Sequence, residues 1–232
     1  MRSTLITVLM LVVLSGCSQQ SKLAGKSQGL KFNDLLKTDI DQVSDIQLRT
    51  TRTLLKQLMS KLYKRNPRQW REHGKPSAQF MLERVFRPRK VPDFPELNGR
   101  HSVDSIRLAF QENYTGDRVL AFTAGLATMI EKAYLNKLEF YLTDSLDAQK
   151  LYNSARNIEI AAWLLRTSRN SQGQLYLLSF SATPGDINLS FERLFGKLIA
   201  TQDSLATIVS GRENRTIKTV IQKMMGAVFL PI

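Results

Sequence analysis

In 232 residues the chain has one cysteine, Cys17, and two histidines, His73 and His101. That scarcity excludes an internal disulfide and leaves too few soft ligands for a structural or catalytic zinc site, which draws three or four from Cys, His and carboxylates. No His-Glu-x-x-His, Gly-x-Ser-x-Gly or phosphate-binding glycine loop followed by Lys-Ser/Thr is present. No metal, cofactor or catalytic residue is therefore assigned. Nor is there an apolar run near the roughly 20 residues that cross a bilayer; the longest are 5–14 and 119–130. No fixed-period repeat suggests a solenoid. His101-Ser102 with Asp104 has the composition of a catalytic triad. Such groups normally come from separate parts of a fold, so a cap on the following helix is the expected role.

The single cysteine has an unusual setting. Arg2 supplies a positive start, LITVLMLVVL (5–14) an apolar core, and Ser15-Gly16 the small residues of a cleavage site, in the order of an export signal. Cys17 follows at once, and SQQSKLAGKSQG (18–29) has the composition of a flexible tether.

Leu14-Ser15-Gly16-Cys17 resembles the lipobox of bacterial lipoproteins, a likeness confined to residues 1–17. The resemblance implies cleavage before Cys17, a diacylglycerol on its sulfur and an acylated new amino terminus. Ser18 in place of Asp implies sorting to the outer membrane, with the body facing the periplasm. No family resemblance is evident for residues 30–232. The expected organisation is a signal peptide (1–16), a lipid-anchored tether (17–38) and a helical domain (39–232). The latter carries candidate sub-lobes at 39–90 and 101–232 around the proline-rich stretch 87–100.

Within that domain the pattern is all-α. Ile40, Val43, Ile46, Leu54, Leu55, Leu58, Met59 and Leu62 recur at three- and four-residue steps until Asn66-Pro67 ends the helix. Further helices are expected over 77–86, from Ser102 as N-cap, over 117–136, over about 146–169 behind Asp144 or Ser145, and over 189–209 and 213–229. Stretch 119–130 carries no charge, so it reads as an interior helix, with Ala121, Gly125 and Thr128 small enough for close contact. The class is a multi-helix globular bundle with room for one minor hairpin, 140–142 against 175–180.

Charge is unevenly placed. Of the formal +13, residues 17–100 hold 18 Lys or Arg against 8 Asp or Glu, and residues 101–232 hold 14 against 12. The excess peaks between Lys61 and Lys90, where ten cations face two carboxylates and Tyr63, Trp70, Phe80 and Phe86 are interleaved. Lys64, Arg65, Arg68, Trp70, Arg71, Arg84, Arg87, Arg89 and Lys90 are the candidate binding residues. Basic and aromatic residues together suit anionic lipid, peptidoglycan or an acidic envelope protein. Nucleic acid is not expected, because no zinc-finger, RNP or helix-turn-helix pattern accompanies the charge.

The reading is a non-enzymatic accessory lipoprotein of the cell envelope. Its alternative is a peptidoglycan-cleaving enzyme using a helix-borne carboxyl with a raised pKa, for which Glu112, Glu131, Glu139 and Glu159 are the candidates.

Overall fold

A computed structural model describes residues 38–141, 143–183, 186–213, 217–218 and 228–232. The leader, Cys17 and residues 18–37 of the tether lie outside the described residues.

Helix α1 (Asp39–Arg65) is the frame. Thr38 starts it with a reciprocal cap: its hydroxyl accepts from the Asp41 N–H at 3.3 Å, while its own N–H donates to the Asp41 carboxylate at 2.8 Å. At 1.5 Å per residue α1 runs about 40 Å. Its Leu54, Leu55, Leu58, Met59 and Leu62 are buried, as the periodicity predicts, whereas Ile46 of the same stripe is 53% exposed. Asn66 closes it, followed by the single turn α2 (Arg68–Arg71) and by α3 (Ala78–Phe86), which is capped by Ser77. The proline-rich stretch contains one 3-10 turn, Pro95–Leu97.

Helices α4 (Ser102–Leu108) and α5 (Arg118–Ala133) pack tightly together, as do α6 (Ala148–Thr167) and α7 (Ser190–Glu213). Helix α1 contacts α3, α5 and α7, so residues on both sides of the proline-rich stretch share one hydrophobic core. The uncharged run on α5 is interior: every residue from Val119 to Ala127 is buried. The architecture is all-α, a bundle of seven helices among the described residues.

Three local expectations are corrected. The hairpin is not 140–142 against 175–180. The Phe140 N–H donates instead to Asp45 on α1 at 2.9 Å, and Leu178 gives both its backbone groups to the Asn66 side chain at 2.8 Å each. With those groups committed, the short antiparallel ladder forms between β1 (Ser181–Thr183) and β2 (Asp186–Asn188), on either side of Pro184-Gly185. Asp147, rather than Asp144 or Ser145, caps α6 by accepting from the N–H groups of Gln149 and Lys150. Ser102 is not a cap: His101 occupies that position and Ser102 is the first helical residue, at φ +54°. The last expected helix, 213–229, lies for the most part outside the described residues.

Candidate functional site

The basic segment follows the α1–α2–α3 hairpin, and its cations separate by position. Lys64 and Arg65 are in the last turn of α1, where positive charge complements the helix dipole. Lys64, Arg68 and Arg71 are exposed around the α1–α2 corner. Arg71 lies over the Trp70 ring at 5.0 Å, and Trp70 is half-buried against the core. Arg68 reaches Glu72 only at 4.0 Å, with both side chains mostly in solvent, a pairing of little energetic weight.

The Asn66–Leu178 clamp adds an apolar element to this corner, since it leaves Leu178 half-exposed. Arg87, Arg89 and Lys90 are exposed beyond α3. They begin where Arg52, near the middle of α1, donates to the carbonyl oxygen of Pro88 at 2.8 Å. Twelve helical residues separate Arg52 from Lys64, about 18 Å. The structure therefore presents two basic patches, one at the C-terminal end of α1 and one beside its middle.

Arg84 belongs to neither. Its guanidinium and the Lys75 ammonium each donate to the same Glu96 oxygen at 2.9 Å, and it covers the Phe94 ring at 5.1 Å. Burial pushes the Glu96 carboxyl up, but the bonds from Arg84 and Lys75 outweigh it and hold the group at about 2. Two of the ten cations in the segment are thus tied to one carboxylate, which offsets one of their two charges. Arg89 pairs with Glu139 at 3.0 Å in an exposed setting. Among the interleaved aromatics only Phe80 is exposed, at 42%; Tyr63 is buried, and Trp70 and Phe86 face the core.

Next to the Lys90 patch opens a cleft of about 670 Å³, lined by Lys90, Arg100, His101, Ser102, Glu131 and Lys132 among others. It tests both enzymatic readings. The His101 imidazole faces Asp93 at 3.4 Å, and Asp104 faces Arg107 at 3.7 Å, so His101, Ser102 and Asp104 do not form a relay. Ser102 bonds through its backbone: its N–H donates to Thr128 Oγ1 at 2.8 Å, across the gap left by Gly125.

Of the four glutamates, Glu131 is the one in this cleft, and desolvation raises its pKa. Its carboxylate is nevertheless engaged, accepting from Arg52 at 2.6 Å and from the Val91 N–H at 3.3 Å. Glu112 is exposed and held below its usual range by hydrogen bonds from Tyr176 and Ser171. Glu139 pairs with Arg89, and Glu159 with Arg156 at 3.1 Å. Each of the four carboxylates is thus engaged by a cation or a hydrogen-bond donor. Among the described residues no cluster of three His, Cys, Asp or Glu could hold a metal ion, and no helix is long and apolar enough to cross a membrane.

Two polar arrangements escape sequence reasoning. The Tyr63 hydroxyl donates to buried Asp117 at 2.7 Å, and the other Asp117 oxygen accepts from the Leu120 N–H at 2.9 Å, capping α5. On α6, Gln149, Asn153 and Asn157 form a stripe of amides at four-residue spacing that binds backbone from residues 218, 230 and 231. The sequence signal for the second is that spacing itself, on a helix otherwise rich in alanine and leucine. No protein family, curated protein or solved structure matches this chain.

Proposed function

We propose that the chain is an outer-membrane lipoprotein, acylated at Cys17 and facing the periplasm, that acts without catalysis. Its basic α1–α3 flank contacts an anionic component of the envelope. The observation that carries this reading is the sorting of the cations. Lys64, Arg71, Arg87 and Lys90 are exposed and form no ion pair among the described residues, whereas Arg84 and Lys75 are tied to Glu96. A segment kept basic merely for solubility has no need of two patches along one helix. Near an anionic surface each such cation contributes roughly 1 kcal/mol.

The test replaces Lys64, Arg71, Arg87 and Lys90 together by glutamate. Binding to vesicles rich in phosphatidylglycerol and to isolated wall sacculi should fall at least about 100-fold and be salt-dependent in the parent chain. Unchanged, salt-insensitive binding by a folded variant refutes the contact. The anchor is tested separately by Cys17→Ser, which should leave an uncleaved leader and hold the protein at the inner membrane. Release of muropeptides by the parent chain would establish the hydrolase reading instead.

A further inference from the structure

The amide stripe on α6 does something a packing helix has no need to do. The Leu230 N–H donates to Asn157 Oδ1 at 2.6 Å, and Asn157 Nδ2 donates back to the Leu230 carbonyl at 2.9 Å. Asn153 Nδ2 donates to the Pro231 carbonyl at 2.8 Å. One turn further, Gln149 repeats the two-way pattern on Lys218, accepting from its N–H at 2.8 Å and donating to its carbonyl at 3.2 Å. Asn153 and Asn157 are buried, so these amides are built into the helix and fixed in position. Residues 228–232 lie in no helix or strand; side-chain amides take the place of a neighbouring strand.

Recognition of this kind reads backbone and is indifferent to sequence. Specificity comes from the surroundings, which are only partly filled. Phe229 lies under the Arg107 guanidinium at 5.3 Å, while Val228 is 64% exposed. Beside residues 229–232 remains a space of about 360 Å³, bounded by α4 and Lys132. It shares His101, Ser102, Asp104 and Lys132 with the larger cleft of about 670 Å³.

The charges along this combined groove do not balance. Two of its carboxylates face a guanidinium, Glu131 with Arg52 and Asp104 with Arg107, and Asp93 faces the His101 imidazole. Lys90, Arg100 and Lys132 are exposed and have no ion pair among the described residues. At one end the amides read backbone and the core receives Phe229 and Ile232, and the other end is open and basic.

We propose that this groove, between α4, α5 and α6, binds an extended peptide segment of a partner protein, apolar where it meets the amides and acidic where it meets Lys90, Arg100 and Lys132. Residues 228–232 occupy the apolar end as an internal stand-in, which the partner segment displaces. The proposal deepens the envelope-contact reading by making the anionic partner a protein. A tethered stand-in competes at an effective concentration in the millimolar range, so the resting chain binds more weakly than the empty groove would.

The experiment uses labelled peptides containing Val-Phe-Leu-Pro-Ile with three glutamates at one end or the other, and their lysine counterparts. Binding is measured on the unaltered chain and on Phe229→Ala, Asn157→Ala and Lys132→Glu variants. Phe229→Ala loosens the stand-in while the peptide keeps its own phenylalanine. It should therefore bind one of the glutamate peptides about tenfold tighter than the unaltered chain does. A purely structural role for Phe229 gives no such gain. Combined with Phe229→Ala, where the stand-in no longer competes, Asn157→Ala and Lys132→Glu should each weaken binding about tenfold.

A folded Phe229→Ala chain that binds neither glutamate peptide, or binds the lysine peptides equally well, overturns the proposal. So does a gain in affinity for phosphatidylglycerol vesicles without a gain for peptide, which gives the site to lipid. If Phe229→Ala does not fold, hydrogen exchange at the Leu230 amide of the unaltered chain decides. Exchange through local opening supports a displaceable segment, and exchange only on global unfolding overturns it. Loss of peptide binding leaves the flank contact standing if the fourfold glutamate variant still loses its vesicle or wall binding.

Discussion

Alanine at position 125 sets helix propensity against sterics. In an open helix Gly→Ala gains up to about 1 kcal/mol. Here an added Cβ would lie 2.7 Å from the Ile106 nitrogen, 2.8 Å from Ile106 Cγ1 and 2.8 Å from the Ser102 carbonyl oxygen. Two of those atoms are backbone, so no side-chain rotation relieves the overlap. Restoring ordinary contact at about 3.5 Å requires α4 to retreat by ~0.7 Å.

Two hydrogen bonds straddle the site and stretch with that movement. Ser105 Oγ donates to the Ala121 carbonyl at 2.7 Å, and the Ser102 N–H donates to Thr128 Oγ1 at 2.8 Å. Weakening both costs about 2 kcal/mol, and the loosened α4–α5 packing adds about 1. After the propensity gain, Gly125→Ala should be less stable by about 2 kcal/mol, a fall in Tm of about 4–8 °C for a chain of this size. Gly196, also helical but with nothing within 4 Å of its Cβ position, is the internal control, and Gly196→Ala should gain up to about 1 kcal/mol. Urea unfolding of both variants measures the difference directly. A Gly125→Ala chain as stable as Gly196→Ala would refute the close approach of α4 and α5.

Two other perturbations follow from buried carboxylates. Burial, only partly offset by the bonds from Leu120 and Tyr63, pushes Asp117 up to about 6. The folded chain therefore holds the Asp117 proton more tightly than the unfolded chain, and its contribution to stability declines as pH rises from about 4 to 6. Asp117→Asn, whose Oδ1 can still accept from the Leu120 N–H while its Nδ2 donates to the Tyr63 hydroxyl oxygen, should gain in stability relative to the parent across that window and run parallel to it above. Denaturation midpoints at pH 4, 5, 6 and 7 test this. Arg52→Ala strips the buried Glu131 of its guanidinium and should cost about 3 kcal/mol in urea unfolding, whereas joint Arg52→Met and Glu131→Leu replacement should recover most of the loss.

What could be read from the sequence was whatever a single helix decides for itself. The α1 stripe ending at Asn66-Pro67, the short helix over 77–86 and the uncharged interior of α5 each depend on residues a few positions apart. Expectations failed where a distant side chain took the backbone. Asp45 claims the Phe140 N–H across 95 positions and Asn66 claims Leu178 across 112, and no periodicity records either. Ser102 has the composition of a cap, but Thr128 and the space at Gly125 place it one residue inside the helix. The basic segment was legible as a charge excess. That Glu96 withdraws Arg84 and Lys75 from it was not, because a carboxylate beyond the window decides it.

The Asn66–Leu178 clamp also bears on the order of folding. It closes a loop of 112 residues with two hydrogen bonds, so it can form only after most of the intervening helices have docked. The corner carrying Lys64, Arg68 and Leu178 is therefore a late product of folding. A chain still unfolded holds the same charges without their arrangement, and a partner that requires the arrangement distinguishes the finished molecule from its precursor.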